Sequence, residues 1–359
     1  MIQRVRLFNL VLAACLALGF HRSPVAAQAP QAFEAALDWL AEQQAPDGGF
    51  SNGFAPQSDP GATADAVLAA VSGGIRPSEW TVDGLTALDF LEQVVREGDV
   101  SGPGQAAKIA LTVEAAGLDA RAFGGADLIA QVLGGYDPQS GLFGSGPYDS
   151  GLAVLALDAS GEALPPGALE GLVRLRVPDG SFSFSGDQTP GAGDSNTTAI
   201  IVQALLAAGA AEQVGPSLAY FRAVQNPDGG WTYQKPSAFG EETDANSTAL
   251  VIQALLAAGE DLTDWGDPLQ ALAALQRPSG AFAFNRANDT DNILATIQAI
   301  PALAGTHLVE VPDLAERLQD EPAPTPFNAR LALAVGALLL IVLLVAAMAG
   351  RSAGRPSKE

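Results

Sequence analysis

Two kinds of apolar segment alternate along this chain. In the first, charges fall on one side of a helical wheel and Ala, Leu or Phe on the other: FEAALDWLAEQQ from Phe33, DGLTALDFLEQVVREG from Asp83 and PSLAYFRAVQ from Pro216. That spacing predicts helices with one wet face. In the second kind, residues 197–209 and 247–259, no charge occurs at all. A helix that is apolar all round is buried over most of its circumference. Gly-rich turns separate the two kinds: PDGGF at 46–50, GDVSGPG at 98–104, DPQSGLF at 137–143, PDGSF at 178–182, PDGGW at 227–231 and PSGAF at 278–282. Pro46, Pro178, Pro227 and Pro278 stop the preceding helix and the glycines permit a tight turn.

The second kind also recurs in sequence, its first two copies identical at eleven of sixteen positions. Residues 194–209 read DSNTTAIIVQALLAAG and residues 244–259 read DANSTALVIQALLAAG, and a third copy, DTDNILATIQAI, starts at Asp289. Six turns across residues 28–305 give a period of about 46 residues, the signature of a repeat architecture. One charged-faced helix plus one charge-free helix per repeat predicts two concentric layers, the charge-free helices inside. An open solenoid needs polar capping repeats at its ends. The terminal repeats here have none, so the pattern predicts an all-α closed ring of about six helical hairpins.

The motif Gln-x-x-Asp-Gly-Gly-Trp, Gln225 to Trp231, followed by Asp-x-Asn-x-Thr-Ala, Asp244 to Ala249, resembles the prenyltransferase and squalene-cyclase repeat. The resemblance spans about residues 30–305. It implies an α/α toroid, and a superfamily that contains protein prenyltransferase β subunits, terpenoid cyclases and the cobalamin carriers of the transcobalamin group. It is specific for fold and weak for activity, because that superfamily mixes enzymes with binding proteins.

The two ends carry different information. Arg4 and Arg6 precede an apolar run that ends at Phe20, and Val25-Ala26-Ala27 suits a signal peptidase, so residues 1–27 are expected to be a secretory signal. Leu12-Ala13-Ala14-Cys15 offers a lipoprotein box as the rival reading. Residues 331–350 contain no charge, enough to span a bilayer as a transmembrane helix. Arg351, Arg355 and Lys358 in the 351–359 tail favour the cytoplasmic side. The segment 306–330, with EPAPTPF at 321–327, is expected to be a Pro-rich linker. The expected organisation is an extracytoplasmic toroid on the cell membrane, held by a single pass at its C-terminus.

Charge and composition narrow the partners. The formal net charge is −22, which disfavours nucleic acid and anionic lipid surfaces. Cys15 is the single cysteine, and His21 and His307 are the two histidines, so the Asp, Cys and His set that holds zinc in the resembling prenyltransferases has no counterpart. No metal and no cofactor are expected.

Two kinds of candidate residue remain. Class II terpenoid cyclases use an Asp-x-Asp-Asp motif, and the resemblance maps it onto Asp289-Thr290-Asp291-Asn292, with Asp291 as proton donor and Asp289 beside it. The rival reading makes Asp289, like Asp194 and Asp244, a helix N-cap. The second kind is a polar set on the charge-free helices: Asn196, Thr198 and Gln203; Asn246, Thr248 and Gln253; Asn292 and Gln298. A polar group in such a helix must find a partner. The set is either a ladder of inter-helix bonds or a polar arc facing a ligand. The aromatic pairs Phe182/Phe184, Trp231/Tyr233 and Phe282/Phe284 follow the turns at matching offsets and are expected to be structural. The favoured function is non-catalytic binding of a bulky amphipathic small molecule, corrinoid- or isoprenoid-like. The alternatives are a cyclase-like enzyme using Asp291 and a cell-surface interaction scaffold.

Overall fold

The computed structural model describes residues 24–238 and 240–320. Residues 1–23 of the expected signal, the 331–350 span and the 351–359 tail lie outside the described residues. Among the described residues no helix is long and apolar enough to cross a membrane.

Six inner helices alternate with six outer ones. The inner set is α2 (Pro60–Ser72), α4 (Pro103–Ala115), α6 (Pro147–Ala159), α8 (Ser195–Ala207), α10 (Ala245–Ala257) and α12 (Ile293–Ala304). The outer set is α1 (Pro24–Ala41), α3 (Ala87–Glu97), α5 (Leu128–Gly134), α7 (Ala168–Val173), α9 (Gly215–Val224) and α11 (Pro268–Ala273). Each inner helix packs on the next around the series, and α12 packs back on α2. The unit is therefore a closed ring of helical hairpins, as the repeat pattern predicts. Among the described residues the one small sheet is a two-stranded turn in the third repeat, β1 (Tyr136–Asp137) antiparallel to β2 (Leu142–Phe143).

One hydrogen bond recurs in five of the six repeats and fixes each turn to its inner helix. The backbone N–H of a buried aromatic donates to a hydroxyl one helical turn past the N-cap. The pairs are Phe50 to Thr63 at 2.9 Å, Phe143 to Ser150 at 2.9 Å, Phe182 to Thr198 at 2.9 Å, Trp231 to Thr248 at 3.0 Å and Phe282 to Thr296 at 2.8 Å. Ala106 takes this place in the second repeat, the one whose turn is degenerate. Trp231 is fully buried, and its indole N–H donates to the Phe221 carbonyl at 2.9 Å. Thr248→Val keeps the volume but leaves the Trp231 N–H buried without an acceptor. It should cost about 1–3 kcal/mol, read as a lower urea midpoint with unchanged slope; an unaltered midpoint would contradict the role.

The turn glutamines join neighbouring repeats. Gln225 Nε2 donates to Gly229 O at 2.8 Å and to Trp265 O of the next repeat at 2.7 Å. Gln276 Nε2 donates to Gly280 O at 2.9 Å and to Ala32 O at 2.6 Å, which ties the last repeat to α1 and closes the ring. Gly280 has φ of 96°, and a Cβ there would stand 2.3 Å from Ala35 O, so the closure needs a residue without a side chain.

The segment expected to be linker from residue 306 is folded over its first part. A 3₁₀ turn at Leu308–Glu310 leads into α13 (Val311–Asp320), on which Val311, Leu314 and Leu318 are buried. The compact unit runs to Leu318. Motif matching ended the ring at its last repeated segment. The apolar residues at 311, 314 and 318 lie on one helical face outside any repeat, and that face carries the fold further.

Candidate functional site: the central funnel and its mouth

The inner helices share one inward stripe. At 3.6 residues per turn, positions two, six and nine residues after the N-cap lie on one face. The structural N-caps or their equivalents are Asp59, Gly102, Gly146, Asp194, Asp244 and Asn292. Six residues on from these come Asp65, Lys108, Leu152, Ile200, Leu250 and Gln298, and all six line one central cavity. Below them, Leu68, Leu111 and Gln253 line the same cavity, nine residues past their caps. Leu308 closes that end, and the 3₁₀ turn that carries it packs on α6, α8 and α10. The space left inside is about 40 Å³, room for one or two waters.

The wall of this cavity carries one ion pair. Lys108 Nζ lies 2.8 Å from Asp65 Oδ2, with the two side chains 16% and 18% exposed. Burial alone would pull the Lys108 ammonium down. Asp65, with the further negative field of Asp59, holds it above its ordinary value instead. Tyr148, two residues past the equivalent cap position, also lines the cavity, and burial pushes its hydroxyl up. Asp65, Lys108 and Tyr148 are absent from the sequence-based candidates. The signal available for them was a charge placed on the inward stripe of an otherwise apolar inner helix.

The predicted polar set divides. Thr198 and Thr248 are completely buried and serve the turn-fixing bonds, so they do not reach the cavity. Gln203 is also completely buried; its Oε1 accepts from Leu308 N at 2.8 Å, so it anchors the segment that closes the floor. Asn292 is an N-cap, accepting from Ala295 N at 2.9 Å. Gln253 and Gln298 do line the cavity. Asn196 and Asn246 occupy the mouth register of Tyr148, two residues past their caps. The Oδ1 atoms of Asn196 and Asn246 and the Oε1 of Gln298 are buried with no hydrogen-bond partner in the protein.

The proposed catalytic pair is corrected by the structure. Asp291 is exposed; its Oδ1 lies 2.6 Å from Arg277 Nε and accepts from Ser279 Oγ at 2.9 Å. Asp289 is still more exposed and pairs with the same guanidinium. A general acid must be neutral when it acts, which requires burial or a neighbouring carboxylate. Asp291 lacks that burial and shares an arginine with Asp289. The N-cap of α12 is Asn292, three residues beyond Asp289. Gln298 therefore corresponds to Ile200 and Leu250 rather than to Gln203 and Gln253. The loop from the buried aromatic to the cap differs in length between repeats, and that hid the register.

Asp194 and Asp244 are the buried carboxylates at the mouth. Each caps its helix, Asp194 Oδ1 accepting from Thr197 N and Asp244 Oδ1 from Ser247 N, both at 2.7 Å. Burial pushes each up to about 6, against the opposing pull of these bonds. Tyr233, hydrogen-bonded to Asp194, is pushed up to about 12, by burial first and by that carboxylate second. The second aromatic of each turn separates from the first. Phe182, Trp231 and Phe282 are fully buried, whereas Phe184 and Tyr233 are 55% and 44% exposed at the mouth. Backbone bonds hold this rim across repeats: Ser195 N donates to Tyr233 O at 2.7 Å, and Ala245 N to Phe284 O at 2.8 Å. Between the rim loops of the fifth and sixth repeats lies an open cleft of about 450 Å³.

No family model and no curated protein sequence matches the chain. Solved structures do. The type II terpene cyclase MstE from Scytonema, in complex with geranylgeranyl dihydroxybenzoate, is 15% identical with a TM-score of 0.57, covering 80% of this chain and 99% of its own. An unsaturated glucuronyl hydrolase specific for heparin is 12% identical with a TM-score of 0.56, over 77% of this chain and 96% of that one. Haptocorrin in complex with Cbi is 15% identical with a TM-score of 0.51, over 78% and 67%. These likenesses establish the α/α-toroid fold, and that fold holds both enzymes and a binding protein.

Proposed function

We propose that this chain is a non-catalytic binding module, extracytoplasmic and tethered to the cell membrane through its C-terminal apolar span, that takes an amphipathic small molecule over the mouth of the ring. The observation that carries this reading is the cleft of about 450 Å³ at the mouth, lined by Tyr233, Phe284 and Glu242. A molecule of corrinoid or isoprenoid size does not fit the 40 Å³ interior, whereas the mouth cleft is of small-molecule size. The surroundings of Asp291 argue against acid catalysis at that residue. A cyclase reading would have to move its proton donor to Asp194 or Asp244, which burial favours in the neutral form.

Native mass spectrometry of the full-length chain against cell extracts tests the proposal. A small molecule should be retained by the wild type, and Asn285→Ala should weaken it by about 0.5–1.5 kcal/mol, the worth of one neutral hydrogen bond. With geranylgeranyl substrates the wild type should give no product, and Asp291→Asn should shift stability by less than about 1 kcal/mol, as an exposed ion pair does. Product formed by the wild type and abolished in Asp194→Asn would replace the binding reading with the enzymatic one.

A further inference from the structure

The mouth cleft has a chemical bias that narrows its ligand. It is lined by Tyr233 and Phe284, by the exposed Glu242, and by Gln234 and Asn285; Asp244 also borders it, but its carboxylate is buried and bonded to Ser247. Neither lysine nor arginine lines it. The loop's own cation, Lys235, is turned away, donating from Nζ to Asn226 Oδ1 at 2.9 Å. Arg286, between Asn285 and Ala287 in sequence, lines the neighbouring groove with Asp228, Glu241 and Glu242. Gln234 spends an amide proton on Gly191 O at 2.8 Å, and Asn285 accepts the Asn288 N–H at 2.8 Å. The aromatic residues and the Glu242 carboxylate therefore set the character of the surface, and both favour positive charge. An anion would meet that carboxylate, and a neutral ligand would leave the electrostatics unused.

We propose that the mouth cleft between the fifth and sixth repeats binds an organic cation, its ammonium head set against Tyr233 and Phe284 and neutralised by Glu242. This deepens the binding reading above and rests on it: the amphipathic molecule is one whose polar end is positively charged. Glu242 is exposed, so the cation can enter without passing the closed interior. The cleft volume of about 450 Å³ exceeds what a trimethylammonium head needs, and leaves space for an attached apolar portion.

Three probes of matched shape test the assignment on the full-length chain: choline, its neutral isostere 3,3-dimethylbutanol, and the anion 3,3-dimethylbutyrate. Binding is followed by NMR shifts of Tyr233 and Phe284 and by calorimetry. Choline should bind saturably and at least tenfold more tightly than the alcohol, the butyrate should not bind, and raised salt should weaken choline. Glu242→Gln should weaken choline at least threefold with an unchanged melting temperature, because the side chain is exposed. Tyr233→Leu should weaken it at least fivefold while Tyr233→Phe keeps most of the affinity, which separates the ring face from the hydroxyl bonded to Asp194. Equal binding of the alcohol, or tighter binding of the butyrate, overturns the cation assignment and leaves the binding module standing. If no probe moves the cleft resonances, the cation assignment fails. Retention of an extract ligand sensitive to Asn285→Ala would then preserve the module, and its absence would end both.

Discussion

Replacing Lys108 by Met should destabilise the ring by roughly 3 kcal/mol, because it strands Asp65 on the funnel wall with its counter-charge gone. Asp65 is 18% exposed on its side chain and sits 2.8 Å from the ammonium. The inward stripe around it is otherwise Leu, Ile, Gln and Tyr. Breaking a mostly buried pair from one side is costly, whereas removing both charges together is often neutral or stabilising. The double variant Asp65→Leu/Lys108→Met should therefore recover most of the loss. Urea unfolding of wild type, both single variants and the double variant closes the cycle. A single variant as stable as the wild type would show that solvent already screens the pair. A double variant no better than the singles would show that the side-chain volumes, not the charges, matter here.

That pair also marks where the sequence became hard to read. The fourth and fifth repeats carry nearly identical inner helices, so their N-caps Asp194 and Asp244, their charge-free character and the ring they imply were legible from repetition alone. The turn motif that carries the resemblance contains Gln225, which in the structure ties two repeats together. Repetition misled in the sixth repeat. There the loop from Phe282 to the cap Asn292 is shorter than the loops from Phe182 to Asp194 and from Trp231 to Asp244, and matching DTDN to DSNT put the cap three residues early. Asp289 and Asp291 then looked like inner-helix residues when they belong to a solvated loop held by Arg277.

Where no motif repeats, physical signals existed but were spread over distant segments. Asp65 and Lys108 are separated by 43 positions, and they meet because α2 and α4 are neighbours in the ring and both place the sixth residue inward. Gln203 looked like a ligand group because its partner, the Leu308 N–H, lies 105 residues away in a segment read as linker. The size of the cavity was beyond sequence reading altogether. It follows from Leu152, Ile200 and Leu250 meeting across the axis with Leu308 beneath them, a sum of side-chain volumes that periodicity does not specify.

The pH dependence of stability should carry a term of unusual sign from Asp194 and Asp244. Most carboxylates that accept hydrogen bonds in a folded protein are held below their ordinary value and stabilise it more as pH rises. These two accept N-cap bonds at helix N-termini, where the macrodipole also favours the anion. Burial outweighs both effects and pushes each from 3.8 up to about 6. Between those values the unfolded chain has released the proton and the folded one keeps it, so the unfolded state binds fewer protons and stability falls as pH rises. A rise from 3.8 to about 6 corresponds to about 3 kcal/mol per group. That contribution is fully present below pH 4 and gone above pH 6.5. Asparagine is an equally good N-cap and does not titrate, so Asp194→Asn/Asp244→Asn supplies the reference. Any constant cost, such as losing the bond from Phe184 N to Asp194, shifts the difference without tilting it. The stability of wild type minus that of the double variant should fall by several kcal/mol between pH 4 and 6.5 and be level on either side. Carbon-13 NMR of the two carboxyl groups should show both midpoints near 6. A difference that is flat or rises through this window would mean that the cap bonds, rather than burial, govern the two aspartates.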